Sequence, residues 1–242
     1  MKLWFTKLLY FARDLRSRKL FEAVAEQPLG TVLDVGGWDF YLTAEAHGAR
    51  FTSWTVLDLP DKQPASIADP RIKFISGDGC NMDFPDGSFD TVLSVQVLEH
   101  VFDAQQMVAE MCRVLKPGGK LVLLVPQTST LHMAPHHYYN FTRYWVAEVL
   151  RRNKMETVSL LPLGGRWSST ASHLVYFFLQ SLRRSGMWIP EYRRSPWFYL
   201  LFPLMAVFAC VAIPICLIFS LADLREEPNN HLAVARKPEG PR

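Results

Sequence analysis

The sequence has few cysteines, little net charge and no pattern typical of a secretory leader. Its four cysteines form no CxxC pair among 242 residues, which favours a reducing, cytoplasmic compartment over a disulfide framework. Lys7 and Arg13 interrupt the apolar runs near the N-terminus, and no small-residue cleavage site follows them. This pattern argues against a signal peptide.

The net charge is only +3, but the charges are unevenly distributed. Residues 31–110 contain thirteen acidic and four basic side chains, whereas residues 1–20 contain one acidic and six basic. Residues 151–194 contain two acidic and eight basic side chains. An acidic centre argues against a nucleic-acid partner. Basic flanks suit an anionic lipid surface, where each nearby Lys or Arg contributes about 1 kcal/mol, so a membrane surface is the expected partner.

The N-terminal segment, residues 1–29, has the pattern of a basic amphipathic helix. Between residues 3 and 24, apolar side chains recur at helical spacing with basic side chains between them. Such a helix either covers an edge of the following domain or lies in the lipid interface. The sequence leaves both alternatives open.

A long uncharged run lies near the C-terminus. Residues 197–222 contain twenty-six residues without a charge. As one helix they would extend about 39 Å, which exceeds the ~30 Å hydrocarbon core of a bilayer. The four arginines before this run place its N-terminal side in the cytoplasm by the positive-inside rule. We therefore predict a transmembrane-type helix within a membrane-associated insertion, residues 170–228.

The sequence also raises a question of membrane topology. A single crossing by 197–222 would place the strand predicted at 229–238 on the far side of the bilayer, away from any cytoplasmic sheet. We favour a hairpin within the run that enters one leaflet and returns, bent at Pro203 and Pro214. The cost of irregular backbone in lipid keeps the single crossing open as the alternative.

Short apolar runs alternate with helical patterns through most of the remaining chain. The alternation predicts a parallel sheet covered on both faces by helices. The predicted strands are 31–35, 53–59, 71–78, 89–96, 120–126, 156–163 and 231–238.

Polar residues and glycines follow the first four predicted strands, at the sheet edge where parallel sheets bind ligands. A carboxylate about 20 residues after the first strand can accept hydrogen bonds from ribose hydroxyls, and Asp58 follows Asp34 by twenty-four residues. Asp78 could accept an adenine amino group. Singly these residues could be helix caps or turns, but together they predict a nucleoside pocket. Its residues are Asp34, Gly36, Gly37, Asp58, Leu59, Asp78, Gly79, Ser94 and Gln96.

Over residues 30–165 the chain resembles the S-adenosylmethionine-dependent methyltransferases with a seven-stranded sheet, in particular their type 11 group. The resemblance implies S-adenosylmethionine as cofactor and an α/β, Rossmann-like, doubly wound, mostly parallel sheet. It also implies a core at 30–169 completed by an antiparallel last strand at 229–238, beside the fifth. The matching segments are VLDVGG (32–37), VLDL (56–59), GDG (77–79), FPDGSFDTVLSVQVLEHV (84–101) and EMCRVLKPGGKLVLLVP (110–126).

One loop departs from the family pattern. Where the family has D-x-G-x-G-x-G, this chain has Trp38 and Phe40, with Gly37 between the usual glycine positions. A Trp here could crowd the methionine part of the cofactor. The alternative function is therefore a catalytically inactive, membrane-bound adaptor that retains the fold. A nicotinamide oxidoreductase is disfavoured because the chain has no GxGxxG.

Histidines supply the candidate general bases, since imidazole titrates near neutral pH. His100 follows the fourth strand, and His132, His136 and His137 follow the fifth. The alternative is that they hold the loop in place, and the sequence does not identify the base. We expect no metal, because no Cys or carboxylate beside the later histidines completes a site.

The membrane attachment indicates the class of acceptor. A water-soluble acceptor would not require it, so the hypothesis is O-methylation of a lipid-linked sugar, a glycolipid or a quinone-type molecule at the cytoplasmic membrane face. The sequence does not indicate the oligomeric state.

Overall fold

A computed structural model describes residues 17–60, 69–181 and 193–240. Most of the predicted amphipathic helix lies outside these residues, and 17–25 form the described part of helix α1. The other helices are α2 (Phe40–Ala46), α3 (Ala104–Val114), α4 (Arg143–Arg152), α5 (Arg166–Ser181) and α6 (Pro196–Phe219). The strands are β1 (Thr31–Val35), β2 (Ser53–Asp58), β3 (Ile72–Ser76), β4 (Phe89–Val95), β5 (Leu115–Pro126), β6 (Glu156–Leu163) and β7 (Asn230–Arg236).

The seven strands form one mixed sheet in the order β3-β2-β1-β4-β5-β7-β6. The pairs among β1 to β5 are parallel, and β7 runs antiparallel to both β5 and β6. The mostly parallel sheet and the antiparallel last strand beside the fifth are therefore confirmed. The strand order reverses at β1 and β4, which is where such sheets bind ligands.

Helices cover both faces of the sheet, as predicted. Buried side chains of α3 and α4 pack with one face, and those of α1 and α2 with the other. Asp103 and Thr142 each accept a backbone N–H of the following turn and thereby cap α3 and α4. Each fully buried Leu or Val contributes about 1.5–3 kcal/mol, so these layers fix the strand ends in place.

Helices α5 and α6 form an antiparallel hairpin whose two ends both meet the sheet domain. Phe177 lies against Phe202, with ring centroids 5.9 Å apart, and Trp167 lies against Phe219 at 5.0 Å. At the base, the Asp223 carboxylate accepts the backbone N–H groups of Trp167 and Ser168 and so caps α5. The hairpin therefore leaves the sheet after β6 and returns to it before β7.

The sequence prediction of a hairpin within 197–222 is wrong. The run forms one continuous helix, α6, with Pro203 and Pro214 inside it. The return to the sheet is made instead by pairing α6 with α5. Because β7 pairs with β5, the structure also contradicts a single crossing that would leave β7 on the far side of a membrane.

Helix α6 is long and apolar enough to cross a bilayer. Ala209 and Cys216 are its buried residues, while side chains such as Trp197, Leu204 and Phe208 are largely exposed. A core helix would bury this surface. The structure thus presents an apolar face beside the sheet domain.

Candidate active site

Hydrogen bonds align the carboxyl ends of the first four strands at one edge of the sheet. The Gly36 N–H donates to Leu57 O at 2.8 Å, and the Gly77 N–H donates to Asp58 O at 3.1 Å. The buried Ser94 hydroxyl donates to Val35 O at 3.2 Å. The loops carrying the predicted nucleoside-binding residues are thus adjacent.

Asp34, near the end of β1, is one of the fully buried acids of this edge. Its side chain is fully buried; Oδ2 accepts the Trp54 indole N–H at 3.2 Å, and Oδ1 has no partner. Burial raises the pKa of Asp34 well above its ordinary value, and the Asp58 charge adds to the rise. A Cβ on Gly37 would lie 1.8 Å from Asp34 Oδ2, so a side chain at 37 would collide with this carboxyl.

The residues at the ends of β2 and β3 are accessible. Asp58 is half-buried and its Oδ1 accepts the Leu59 N–H at 2.8 Å, while the Leu59 side chain is 58% exposed. The exposed Asp78 accepts the Cys80 N–H at 2.8 Å, and Gly79 packs closely on Val35. Carboxylates for ribose and amino groups and an open apolar side chain for a purine face suit S-adenosylmethionine.

Trp38, the main departure from the family pattern, is 57% exposed and adopts a left-handed backbone conformation with φ of 43°. Most of its indole therefore faces solvent. Gly36, with φ of 77°, packs against Val97, because a Cβ there would lie 2.6 Å from a Val97 methyl. The loop takes a path that differs from strict glycine alternation and leaves Trp38 outside the core.

A cluster of imidazoles lies beyond β4 and β5. The His132 ring centroid is 4.8 Å from that of His100 and 4.6 Å from that of His137. The His100 Nδ1 lies 2.5 Å from His136 O, and the His132 Nδ1 lies 2.8 Å from Thr130 O. Burial lowers the pKa of His100 and of His137, with further contributions from neighbouring imidazoles, and so favours the neutral form of each ring.

His136 does not join this cluster through its side chain. Its imidazole is exposed and its Nδ1 lies 3.0 Å from the Tyr138 hydroxyl, while its backbone carbonyl meets His100. Of the predicted bases, His100 and His137 are therefore brought together with His132, and His136 contributes a carbonyl.

Glu99 adds a carboxylate to the cluster. Its side chain is fully buried, and neither carboxylate oxygen has a hydrogen-bond partner among the residues that the structure describes. Oε1 lies 3.9 Å from His100 Nε2. Burial raises the Glu99 pKa to about 7. The prediction of no metal rested on the lack of a carboxylate neighbour, and this premise is wrong because Glu99, His100 and His132 converge within 4.8 Å.

The start of β7 and helix α5 contribute residues that sequence reasoning missed. The Gln96 amide donates to Asn230 Oδ1 at 3.0 Å, and His231 Nε2 lies 2.5 Å from Gln127 Oε1. From α5, His173 Nε2 lies 2.6 Å from Thr128 O. The residues of β7 could have been predicted from the sequence. An antiparallel strand beside β5 starts at the edge where the parallel strands end, so the polar residues before its apolar run lie at the site.

A surface groove of about 700 Å³ lies at the opposite end of the sheet, between α1 and strands β6 and β7. Lys19, Lys120 and Arg236 are among its lining residues. Lys120 and Arg236 pair across the β5–β7 ladder at its end away from Pro126, so this groove is remote from the strand-end acids.

Comparisons with known proteins agree with the fold. Residues 33–123 match the family described as a methyltransferase domain. A 2-methyl-6-phytyl-1,4-hydroquinone methyltransferase from Synechocystis sp. is 29% identical over 175 residues, which cover 70% of this chain and 50% of that protein. The chain spans half or less of the length of the first curated relatives it matches.

Solved structures share the fold at low identity. The cyclase SpnF superposes with a TM-score of 0.58 at 20% identity, covering 93% of this chain and 81% of that one. Phosphoethanolamine N-methyltransferase 2 of Haemonchus contortus, in complex with S-adenosyl-L-methionine, gives 0.58 at 15% identity, covering 95% and 56%. The sequence match and the strand order together identify residues 33–123 as a methyltransferase domain of the S-adenosylmethionine-dependent class.

Proposed function

We propose that the whole chain is an active S-adenosylmethionine-dependent methyltransferase that works at the cytoplasmic face of a membrane on a lipid-linked or otherwise amphiphilic acceptor. Asp58 would hold the ribose hydroxyls of the cofactor, Asp78 its adenine amino group, and the loop after β1 its amino acid end. The sulfonium supplies an already activated methyl group. The chain's own task is to align the acceptor and to remove a proton where the acceptor is a hydroxyl.

The proposal of a membrane-embedded acceptor rests on the contact between the apolar α5–α6 hairpin and the loop that follows β5. The Thr128 hydroxyl donates to Ser169 Oγ at 2.9 Å, and the Gln180 amide of α5 donates to Leu131 O at 3.2 Å. The loop with the imidazole cluster therefore packs along α5, whose other side packs on α6. An acceptor anchored in lipid beside α6 would have its polar end near this loop.

The charge pattern and the relatives support the same class of acceptor. Arg194 precedes α6, and its guanidinium lies 4.3 Å over the Phe198 ring, so positive charge sits at the tip end of the hairpin. The Synechocystis relative is named for a phytylated hydroquinone, which is an amphiphilic molecule. A quinone-type acceptor is therefore one candidate, beside the lipid-linked sugar or glycolipid indicated by the sequence.

The experiment uses the full chain, purified in detergent and reconstituted into liposomes. Radiolabelled methyl transfer from S-adenosylmethionine is followed into organic-soluble and water-soluble fractions of a bacterial membrane extract. Label in the organic fraction that depends on the protein supports the proposal. Label only in water-soluble products contradicts the membrane acceptor.

The alternative is a catalytically inactive adaptor that retains the fold. SpnF, a cyclase on a similar fold, indicates that the architecture alone does not fix the reaction. Trp38 motivated this alternative, and its exposed position weakens the argument. Cofactor binding without any transfer to membrane extract, under conditions in which a control methyltransferase is active, would favour the adaptor.

A further inference from the structure

Among the described residues, the buried Glu99 carboxylate has no hydrogen-bond partner. Its two oxygens lack hydrogen bonds, and in the described part of the chain the nearest basic group is the His100 imidazole at 3.9 Å. An unpaired buried carboxylate costs several kcal/mol unless it is neutralised or paired. A cation next to this carboxylate would therefore be stabilised.

Two imidazoles are oriented toward the same space. His100 and His132 each direct Nδ1 to a backbone carbonyl, those of His136 and Thr130. A carbonyl only accepts, so each Nδ1 carries the proton and each Nε2 keeps its lone pair. Metal-binding histidines are held in the same way, by a hydrogen bond from the ring N–H that does not face the metal.

From this geometry we propose that Glu99, His100 and His132 bind a divalent transition metal ion. One ligand atom from each residue lies within 4.8 Å of the other two. Ligands about 2.0 Å from a tetrahedral metal lie about 3.3 Å apart, so the three side chains need to close by about 0.5–1.5 Å. Two side chains belong to the short turn Leu98–His100 and the third to the loop after β5, which can approach it.

The ligand set determines the class of metal. Two imidazoles and one carboxylate suit Zn²⁺, Mn²⁺ or Fe²⁺ rather than Ca²⁺ or Mg²⁺, which prefer oxygen ligands alone. His137 is not a fourth ligand, because its Nδ1 accepts the His132 backbone N–H and its Nε2 lies 3.3 Å from the Ser129 hydroxyl. Three protein ligands leave a position for an exogenous oxygen.

The open position gives the site a role in acceptor binding, and this part of the inference rests on the proposed function. The cluster lies beyond β4 and β5, beside the loop that packs on α5. An oxygen of the acceptor can occupy the open position. The site thus favours acceptors that present a hydroxyl.

The test measures metal on the detergent-solubilised full chain, without any methyl-transfer assay. The protein is stripped with a chelator, reloaded with Zn²⁺ or Co²⁺, passed over a desalting column and analysed by elemental analysis and Co²⁺ absorption. We expect one ion per chain, and at least about 100-fold weaker Zn²⁺ binding in Glu99→Gln and in His132→Gln. His47→Gln is the matched control, because His47 is exposed and stacks on Phe21 away from the site.

Wild-type protein that retains no metal, or variants that bind as much as wild type, would overturn the inference. Circular dichroism checks folding, and His132→Gln carries the test if Glu99→Gln does not fold, since His132 is only half-buried. Titration with S-adenosylmethionine on the same samples separates the two proposals. Metal binding without cofactor binding refutes the function and leaves the metal site, whereas cofactor binding without metal does the reverse.

Discussion

Replacing Asp58 tests the cofactor site most directly. Asp58 ends β2 half-buried, and its Oδ1 already accepts the Leu59 N–H at 2.8 Å. Among the described residues Oδ2 has no hydrogen-bond partner, so it is the oxygen left for a ligand hydroxyl. Hydrogen bonds to a charged group contribute about 1.5–3 kcal/mol each. Asp58→Ala should therefore weaken S-adenosylmethionine binding by about 10- to 150-fold.

Asp58→Asn refines the expectation, because an amide keeps one acceptor oxygen and loses the charge. Its dissociation constant should lie between those of wild type and Asp58→Ala. The measurement is calorimetric titration of the detergent-solubilised chain, with Glu156→Ala as control, since Glu156 is exposed on β6 across the sheet. Equal affinity in wild type and Asp58→Ala, with unchanged melting temperature, would refute the assignment of the ribose to β2.

Three further predictions concern the hairpin, a buried histidine and the first loop. Leu204→Glu puts a charge on the exposed face of α6 and should cost about 2.5–3.5 kcal/mol of membrane binding in liposome flotation, whereas Val158→Glu on β6 should not. Burial lowers the pKa of His231 to about 4. The contribution of the buried, neutral His231 to the free energy of unfolding is therefore complete above about pH 6.5 and falls by up to about 3 kcal/mol as the pH drops toward 4. Urea unfolding of His231→Gln should not show this pH dependence. Gly37→Ala places a Cβ 1.8 Å from Asp34 and should lower unfolding free energy by at least about 1–3 kcal/mol; an unchanged urea midpoint would contradict that contact.

The strands were largely predictable because a buried parallel sheet leaves apolar runs in the sequence. The start of β5 was not: the predicted strand begins at residue 120, yet β5 begins at Leu115. Leu115 pairs with Phe89 before the register shifts toward Thr91. Pairing with β4 therefore extends the strand through Pro117 and Gly118, where the sequence has no apolar run.

The positions of the site acids followed from one rule, that parallel strands end at a common edge. The Glu99 cluster did not follow from any sequence rule. Glu99 and His132 are far apart in the chain, and their approach depends on how the loop after β5 folds back on the turn Leu98–His100. Sequence spacing can reveal ligands that lie on one helix or loop. Here the proposed ligands come from two segments, the turn Leu98–His100 and the loop after β5.

The prolines of α6 misled the sequence prediction for a physical reason. Pro203 and Pro214 each remove a helix hydrogen bond, which favours a bend in isolation. Packing along α5 holds the helix together on both sides of these positions: Phe177 contacts Phe198 and Phe202 before Pro203, and Trp167 contacts Phe219 after Pro214. Tertiary contact outweighed the local preference.

The position of β7 between β5 and β6 has a consequence for biosynthesis. In the described part of the chain, strand β6 pairs only with β7, so it cannot join the sheet until β7 has left the ribosome. By then α5 and α6 have been synthesised, and their apolar surface is exposed to any bilayer nearby. Sheet closure is therefore a late, non-local step that is coupled to the placement of the hairpin. A chain cut before residue 230 would lose the attachment of β6, and with it the fixed position of the hairpin relative to the domain.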